Sequence, residues 1–245
     1  MFFRPYRIGR LLGFPIEVNP SFLLLLAFVM VFSGGLAGVY FVLLGFASVL
    51  LHELGHAVVA RHLGVRIAGI ELRFLGGVAK MIDAPRTPGD EVAIAAAGPA
   101  VSFALAGLAL VGATLTGAEV FHALTWVNVA IGVFNLTPAL PMDGGRILRA
   151  LLSMRMSHTR ATEIAVKVSR VFAVVFGGLG IAFGKVYFVI LAVMLWSMGS
   201  AEQAMARLRA SRGTMPGPAW PDDPEAFAPS GAPGGRPIWV VVRRF

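Results

Sequence analysis

The sequence is most constrained by one pentapeptide, His52-Glu-Leu-Gly-His56, which follows directly on the apolar run 39–51. Residues four apart on an α-helix share a face and lie about 6 Å apart along the axis. His52 and His56 would therefore present two imidazoles to one point, which is half of a metal site. Glu53 would add a carboxylate able to accept a proton from water. Such groups cost on the order of several kcal/mol to bury in an apolar helix without partners, so they indicate a functional site.

The composition predicts an all-α polytopic membrane protein. Hydrophobic residues make up 57% of the 245 residues and charged residues only 14%, against roughly 25% charged residues in soluble domains. The mean hydropathy is +0.77. A helix needs about 20 apolar residues to cross a hydrocarbon core about 30 Å thick. Runs near this length predict about six transmembrane helices, at 20–38, 39–62, 92–114, 120–140, 168–184 and 186–208.

The distribution of basic residues predicts the orientation in the bilayer. With a cytoplasmic N-terminus and six spans, every one of the 21 basic residues except Lys185 falls on the cytoplasmic side. This bias is the positive-inside pattern, so we attribute the net charge of +8 to topology and expect no nucleic-acid partner. Both termini and the histidine motif are then expected to face the cytoplasm.

A second informative stretch is Asn135-Leu-Thr-Pro-Ala-Leu-Pro-Met-Asp-Gly-Gly-Arg146. Two prolines within four residues disrupt a helix, and irregular backbone at membrane depth is tolerated only against protein or a water-filled cavity. Because the chain has no cysteine, a metal site must use histidine and carboxylate, which favours zinc or a similar divalent ion. Asp143 is a candidate third ligand. The alternative is that Asp143 caps a helix beginning near Gly145.

The segment 64–82 does not read as helix. Ile70, Leu72 and Phe74 alternate with charged residues, Ala68-Gly69 is typical of a bulge, and Leu75-Gly-Gly77 of a turn. We expect a small membrane-associated β-hairpin between the second and third helices. Its edge could pair with an extended peptide, or the hairpin could be a connector only.

The remaining chain divides into three parts. Residues 1–19 are expected to form a cytoplasmic, interfacial segment; residues 20–208 a six-helix domain; and residues 209–245 a Pro/Gly-rich, largely disordered cytoplasmic tail. Small residues at 95–99, with Ser102, predict close packing of the third helix on a neighbour, positioning the second helix rather than taking part in chemistry.

The chain resembles the site-2 proteases, zinc metalloproteases that cut substrate helices within or near the membrane. The resemblance rests on the His52–His56 motif, the pattern Asn135-x-x-Pro-x-x-x-x-Asp-Gly144 and the run Ala97-Gly-Pro99; Leu75-Gly-Gly-Val78 also looks like the family's hairpin. Since no stretch reads as a PDZ domain between the motifs or a CBS domain after the last helix, the chain is most similar to the compact prokaryotic branch.

The resemblance implies one zinc ion per chain, bound by His52, His56 and Asp143. Glu53 would be the base that activates water, and Asn135 would orient the substrate or stabilise the oxyanion. The implied substrates are single-span membrane proteins, often membrane-tethered transcription regulators or anti-sigma factors, in a prokaryotic cell membrane.

Two other classes fit parts of the pattern. Prenylated-protein proteases also use H-E-x-x-H, but they would be expected to supply a glutamate as third ligand. A metal transporter or an inactive relative would bind metal without hydrolysis. Transport predicts polar residues spread across the spans, and inactivity predicts the loss of Glu53, which is present.

Overall fold

The computed structural model describes residues 5–32, 35–74 and 76–214. Seven helices and four strands form in this part of the chain. The helices are α1 Pro20–Phe32, α2 Gly35–His62, α3 Pro88–Thr116, α4 Glu119–Asn135, α5 Asp143–Ser153, α6 His158–Ala182 and α7 Val186–Thr214. The strands are β1 Tyr6–Leu11, β2 Phe14–Val18, β3 Ile67–Arg73 and β4 Gly76–Met81.

Four helices are long and apolar enough to cross a membrane, so the prediction of about six spans is not confirmed. They are Gly35–His62, Pro88–Thr116, His158–Ala182 and Val186–Ala206. The run predicted at 20–38 yields a helix of 13 residues, about 20 Å long and short of the core thickness. The run predicted at 120–140 ends at Asn135, because Pro138 and Pro141 follow and cannot continue the helix.

The last two helices also depart from the predicted bounds. α6 begins at His158 rather than 168, so Arg160, Lys167 and Arg170 are part of a helix and do not lie in a loop. Ser157 caps α6 by accepting from the Arg160 N–H. α7 runs through Thr214, beyond the predicted limit of 208, and residues 215–245 of the predicted tail lie outside the described residues.

The predicted hairpin is present as β3 and β4, and the register shift between Ile67 and Gly69 is the expected bulge. It belongs, however, to a four-stranded sheet in the order β1-β2-β3-β4. β2 pairs in parallel with β3, with Ile16 opposite Ile70. An all-α fold with one hairpin is therefore wrong in this part: much of the segment 1–19, expected at the interface, forms two strands.

The sheet packs against the C-terminal half of α2. Alternate side chains of β2 point inward and join side chains of α2 and β3 in one buried cluster, formed by Phe14, Ile16, Leu54, Ala57 and Ile70. On its other side α2 packs against α3, where a Cβ on Gly55 would come within 2.9 Å of the Ala97 carbonyl oxygen. The end of α2 that carries the histidine motif is thus held between the sheet and α3.

Candidate metal centre

The two imidazoles meet at one point, as the helical spacing predicts. His52 and His56 are each only 3% exposed, and their Nε2 atoms lie 3.2 Å apart. Both side chains project from α2 where it packs against α3, and they meet the first residue of α5. A cluster of this kind is shielded from bulk water on most sides.

Asp143 joins the histidines from a different part of the chain. Its Oδ2 lies 3.1 Å from His52 Nε2 and 3.2 Å from His56 Nε2, and the carboxylate is buried. Asp143 is the first residue of α5, whereas Met142 is the N-cap and no side chain caps the helix. The carboxylate therefore faces the imidazoles instead of capping the helix. One ligand atom from each of the three residues lies within 4.8 Å of the others, so the group can hold one metal ion.

The outer nitrogens of both rings are hydrogen-bonded to α3. His56 Nδ1 lies 2.6 Å from the Ile94 carbonyl oxygen, and His52 Nδ1 lies 2.9 Å from Ser102 Oγ. A carbonyl can only accept, so His56 Nδ1 donates, and the Nε2 of the neutral ring carries a lone pair. The Ser102 hydroxyl can accept in the same way from His52. These bonds aim two lone pairs at the carboxylate, which is the arrangement that binds a cation.

Gly98 of α3 lies directly against this cluster. A Cβ at this residue would come within 2.6 Å of His52 Nε2 and closer still to His56 Nε2. The small residues of α3 therefore position α2, as expected from the sequence, and Gly98 also borders the ligand atoms. Gly144 and Gly145 let α5 pack on the backbone of residues 136–140.

Glu53 reaches towards the sheet. Its Oε2 accepts a hydrogen bond from the backbone N–H of Ala79 in β4 at 3.0 Å. Glu53 lines the same cavity as His52, His56 and Asp143. The carboxylate thus opens onto the space beside the ligand cluster and is restrained by the edge strand.

The cavity beside the cluster has a volume of about 670 Å³. Its walls come from β4, from the stretch between α4 and α5, and from α7. The lining residues include Gly76, Gly77, Ala79, Pro141, Met142, Leu191 and Met198. The Pro-rich stretch therefore lines a cavity, as its disrupted helix predicts. A space of this size can accept an extended segment of polypeptide.

Asn135 lines this cavity at the end of α4. Its Nδ2 donates to the Ile131 carbonyl oxygen of its own helix at 2.9 Å. Asn135 therefore shares the cavity with the three candidate ligands, while its amide is bonded to its own helix. Its second amide hydrogen can still serve a ligand in the cavity.

Two supports of the centre could not be read from the sequence. Ser169 of α6 accepts a hydrogen bond from the Leu140 N–H at 2.7 Å, fixing the stretch that leads to Asp143. Arg149 of α5 pairs with Glu91 of α3 and with Glu202 of α7. Each contact joins residues far apart in the chain, so no local sequence pattern predicts it.

Charged side chains of the sheet form a network around Glu71. Its carboxylate is 3% exposed and pairs with Arg73 and Lys80, while Asn19 donates to it at 2.8 Å. The hydrogen bond from Arg73, with help from Lys80 and Asn19, lowers the pKa of Glu71 from 4.5 to about 2. Since Arg73 also lines the cavity, the network stabilises the sheet beside it.

A buried His-His-Asp cluster at the end of an apolar helix, among four helices long enough to cross a bilayer, defines an integral membrane metalloprotein. The model of peptidase family M50 matches residues 40–123 and 113–176. The chain belongs to this family.

Relatives agree with this assignment. A zinc metalloprotease of Methanocaldococcus jannaschii is 35% identical over 205 residues, covering 80% of this chain and 59% of the relative. Stage IV sporulation protein FB of Bacillus subtilis is 31% identical over 165 residues, covering 66% of this chain and 56% of the relative. The chain thus spans a little over half the length of these relatives.

A solved structure supports the fold. The site-2 protease from Methanocaldococcus jannaschii matches with a TM-score of 0.65 and 31% identity. The match covers 82% of this chain and 95% of that one. The fold described above is therefore similar to that of this site-2 protease over most of the chain.

Proposed function

We propose that this protein is an intramembrane zinc metalloprotease of the site-2 type, which hydrolyses peptide bonds in or near the transmembrane segments of other membrane proteins. One observation carries the proposal: the buried cluster of His52, His56 and Asp143 opens, beside Glu53, onto a cavity bordered by an edge strand. The family membership and the zinc metalloproteases among the relatives support it.

The donor set fits zinc. Zinc prefers tetrahedral nitrogen and oxygen ligands at about 2.0–2.2 Å, which places neighbouring ligand atoms about 3.3 Å apart. The separations of 3.1 and 3.2 Å between the Asp143 and histidine atoms are close to this value. Three protein ligands leave a fourth position open, as catalytic zinc sites require. Zinc bound here would supply Lewis acidity to water and to the scissile carbonyl.

The chain's own residues then have defined tasks in hydrolysis. Glu53 takes a proton from the attacking water as the water oxygen bonds to the carbonyl carbon of the substrate. It passes that proton to the amide nitrogen as the C–N bond breaks, which gives a carboxylic acid and an amine. Asn135 orients the substrate, or donates its amide hydrogen to the oxygen on which negative charge develops. His52, His56 and Asp143 hold the metal in place.

The substrate class follows from the setting. A peptide bond within a helix is shielded by the helix's own hydrogen bonds, so a substrate span must unwind before cleavage, and the β4 edge offers main-chain partners to the unwound segment. Single-span proteins, including membrane-tethered transcription regulators or anti-sigma factors, fit this requirement. With α1 and α4 counted as the remaining two of six spans, the distribution of basic residues supports a cytoplasmic location for the termini and the cavity. The similarity to prokaryotic relatives supports a prokaryotic membrane.

The test combines metal analysis of detergent-purified protein with cleavage of a panel of single-span substrates. Wild type is compared with Glu53→Gln, which keeps the three candidate ligands. One zinc in both proteins and cleavage by the wild type alone would support the proposal. Zinc in both proteins with equal turnover would remove Glu53 from the role of base. Absence of zinc from the folded wild type would favour a function without hydrolysis.

A further inference from the structure

We propose that the Ala79 N–H of β4 is shared between Glu53 and the substrate, so that docking of an extended substrate segment releases Glu53 for catalysis. In the absence of substrate, Glu53 Oε2 accepts the hydrogen bond from this N–H. A substrate strand added to β4 would supply a carbonyl oxygen in its place. The inference rests on the proposed function and adds to it a means by which the substrate controls the base.

The first support is the direction of the β4 hydrogen-bonding groups. In a strand, the N–H and C=O groups of successive residues point alternately to the two sides. The N–H of Ile82, the residue after β4, points to the β3 side and donates to the carbonyl of Arg66, the residue before β3. The Ala79 N–H points to the other side, towards Glu53. The outward groups are therefore those of Gly77, Ala79 and Met81.

The second support is the position of this edge. β4 is the last strand of the sheet order, so its outer side has no neighbouring strand in the described part of the chain. Gly77, Ala79 and Met81 all line the cavity that contains the candidate ligands. A peptide spanning these three residues needs the central N–H, that of Ala79, which Glu53 already holds. Strand addition and the resting position of Glu53 are thus mutually exclusive.

The third support is the shape of the strand beneath Glu53. A Cβ on Gly77 would come within 2.7 Å of Glu53 Cγ and 3.1 Å of Val49 Cγ1. Glu53 can lie across β4 only because residue 77 has no side chain. The exchange leaves no donor unsatisfied, since the Ala79 N–H passes from a carboxylate to a peptide carbonyl. Glu53 is then free to turn into the cavity.

The test measures peptide binding to metal-free protein, so that hydrolysis does not intervene. The probe is a fluorescent peptide of about ten residues rich in valine and threonine, which favour extended structure. Its analogue, N-methylated at alternate amides, cannot pair with an edge. We expect Glu53→Ala to bind the probe about threefold to tenfold more tightly than wild type. A change in affinity of this size corresponds to the net free energy of roughly one hydrogen bond.

Asp143→Ala is the matched control, because it removes the same charge from the same cavity without touching β4. If Asp143→Ala binds the probe as wild type does, the tighter binding by Glu53→Ala comes from the freed Ala79 N–H and not from the loss of a negative charge. Equal affinity of wild type and Glu53→Ala, an equal gain in both variants, or failure of the probe to bind any variant would overturn the proposal.

A second measurement observes the N–H itself. In protein labelled with ¹⁵N-alanine, the Ala79 amide resonance should move in Glu53→Ala without peptide and in wild type on addition of the probe. An unmoved resonance in either case would overturn the exchange. Cleavage is tested separately: zinc-loaded wild type that shows the exchange but never cleaves any substrate would contradict the proposed function and leave the exchange standing.

Discussion

Gly98 of α3 lies over the two histidines of α2, so close that a single added carbon would collide with the Nε2 atoms of both His52 and His56. Gly98 cannot bind metal itself, but its lack of a side chain is what allows His52 and His56 to come together. This contact depends on how α2 and α3 pack, and in the sequence these two helices are separated by the β3–β4 hairpin.

Replacing Gly98 by Ala should abolish metal binding. The new Cβ would displace both imidazoles, since the nearest atoms are the rings themselves and a helix backbone cannot retreat locally. Metal content of the purified protein is the measurement. Gly107→Ala is the matched control on the same helix, because a Cβ there meets nothing within 4 Å, and it should keep full metal content. Normal metal content in Gly98→Ala would contradict the geometry described here.

Replacing Ser102 by Ala should weaken metal binding without abolishing it. His52 would lose the partner that lies 2.9 Å from its Nδ1, and loss of such a support costs about 10–100-fold in metal affinity. Competition with a chelator gives the affinity. Thr114→Ala serves as the control on α3, since Thr114 bonds only to the Val111 carbonyl of its own helix. Unchanged affinity in Ser102→Ala would remove this residue from the support of His52.

Replacing Ser169 by Ala should destabilise the stretch that carries Asp143. The buried Leu140 N–H would lose its acceptor, and an unsatisfied buried donor costs about 1–3 kcal/mol. Thermal unfolding in detergent measures the loss, and metal affinity should fall with it. Ser197→Ala is the comparison, because this exposed hydroxyl bonds only to the Met194 carbonyl of α7 and should change stability by less than about 0.5 kcal/mol. Equal stability of the two variants would contradict the role of Ser169.

The sheet should lose stability in acid because of Glu71. Its pKa is lowered on folding from 4.5 to about 2, so the folded state favours the ionised form. The stabilisation is complete above a pH of about 4.5 and is lost as the pH falls towards about 2. The unfolding temperature of wild type should drop across this range, whereas that of Glu71→Gln should change less. An equal fall of the unfolding temperature with pH in wild type and Glu71→Gln would contradict the prediction.

Asp83 provides the contrast in that experiment. Arg66 also lowers the pKa of Asp83 to about 2, but this pair is solvent-exposed. High salt should therefore suppress any acid-dependent effect of Asp83 and leave most of the effect of the buried Glu71.

Some elements could be predicted because their signals are local. The spacing of His52 and His56 determines that both rings share a helix face. Pro138 and Pro141 determine that α4 cannot continue to 140, although the sequence-based bounds extended it that far. Ala68-Gly69 indicated the bulge that the register shift in β3 confirms. The roles of Glu53 and Asn135 in catalysis stay predictions.

The N-terminal strands were missed for one local and one non-local reason. Pro15 and the turn at residues 12–13 weaken the strand signal, and β2 is completed only by pairing with β3, more than fifty residues later. A parallel pair has no turn that would mark it in the sequence.

The sequence by itself determined the type of chemistry: two histidines and a glutamate in fixed helical register, an aspartate after a broken helix, and apolar runs that require a membrane. The tertiary structure alone decided the distances. Asp143 meets the histidines because Gly98, Gly144 and Gly145 allow helices to approach and Ser169 anchors the intervening stretch. Glu53 meets Ala79 because the sheet packs on α2. Such contacts join distant residues through packing, which depends on the whole fold rather than on local periodicity.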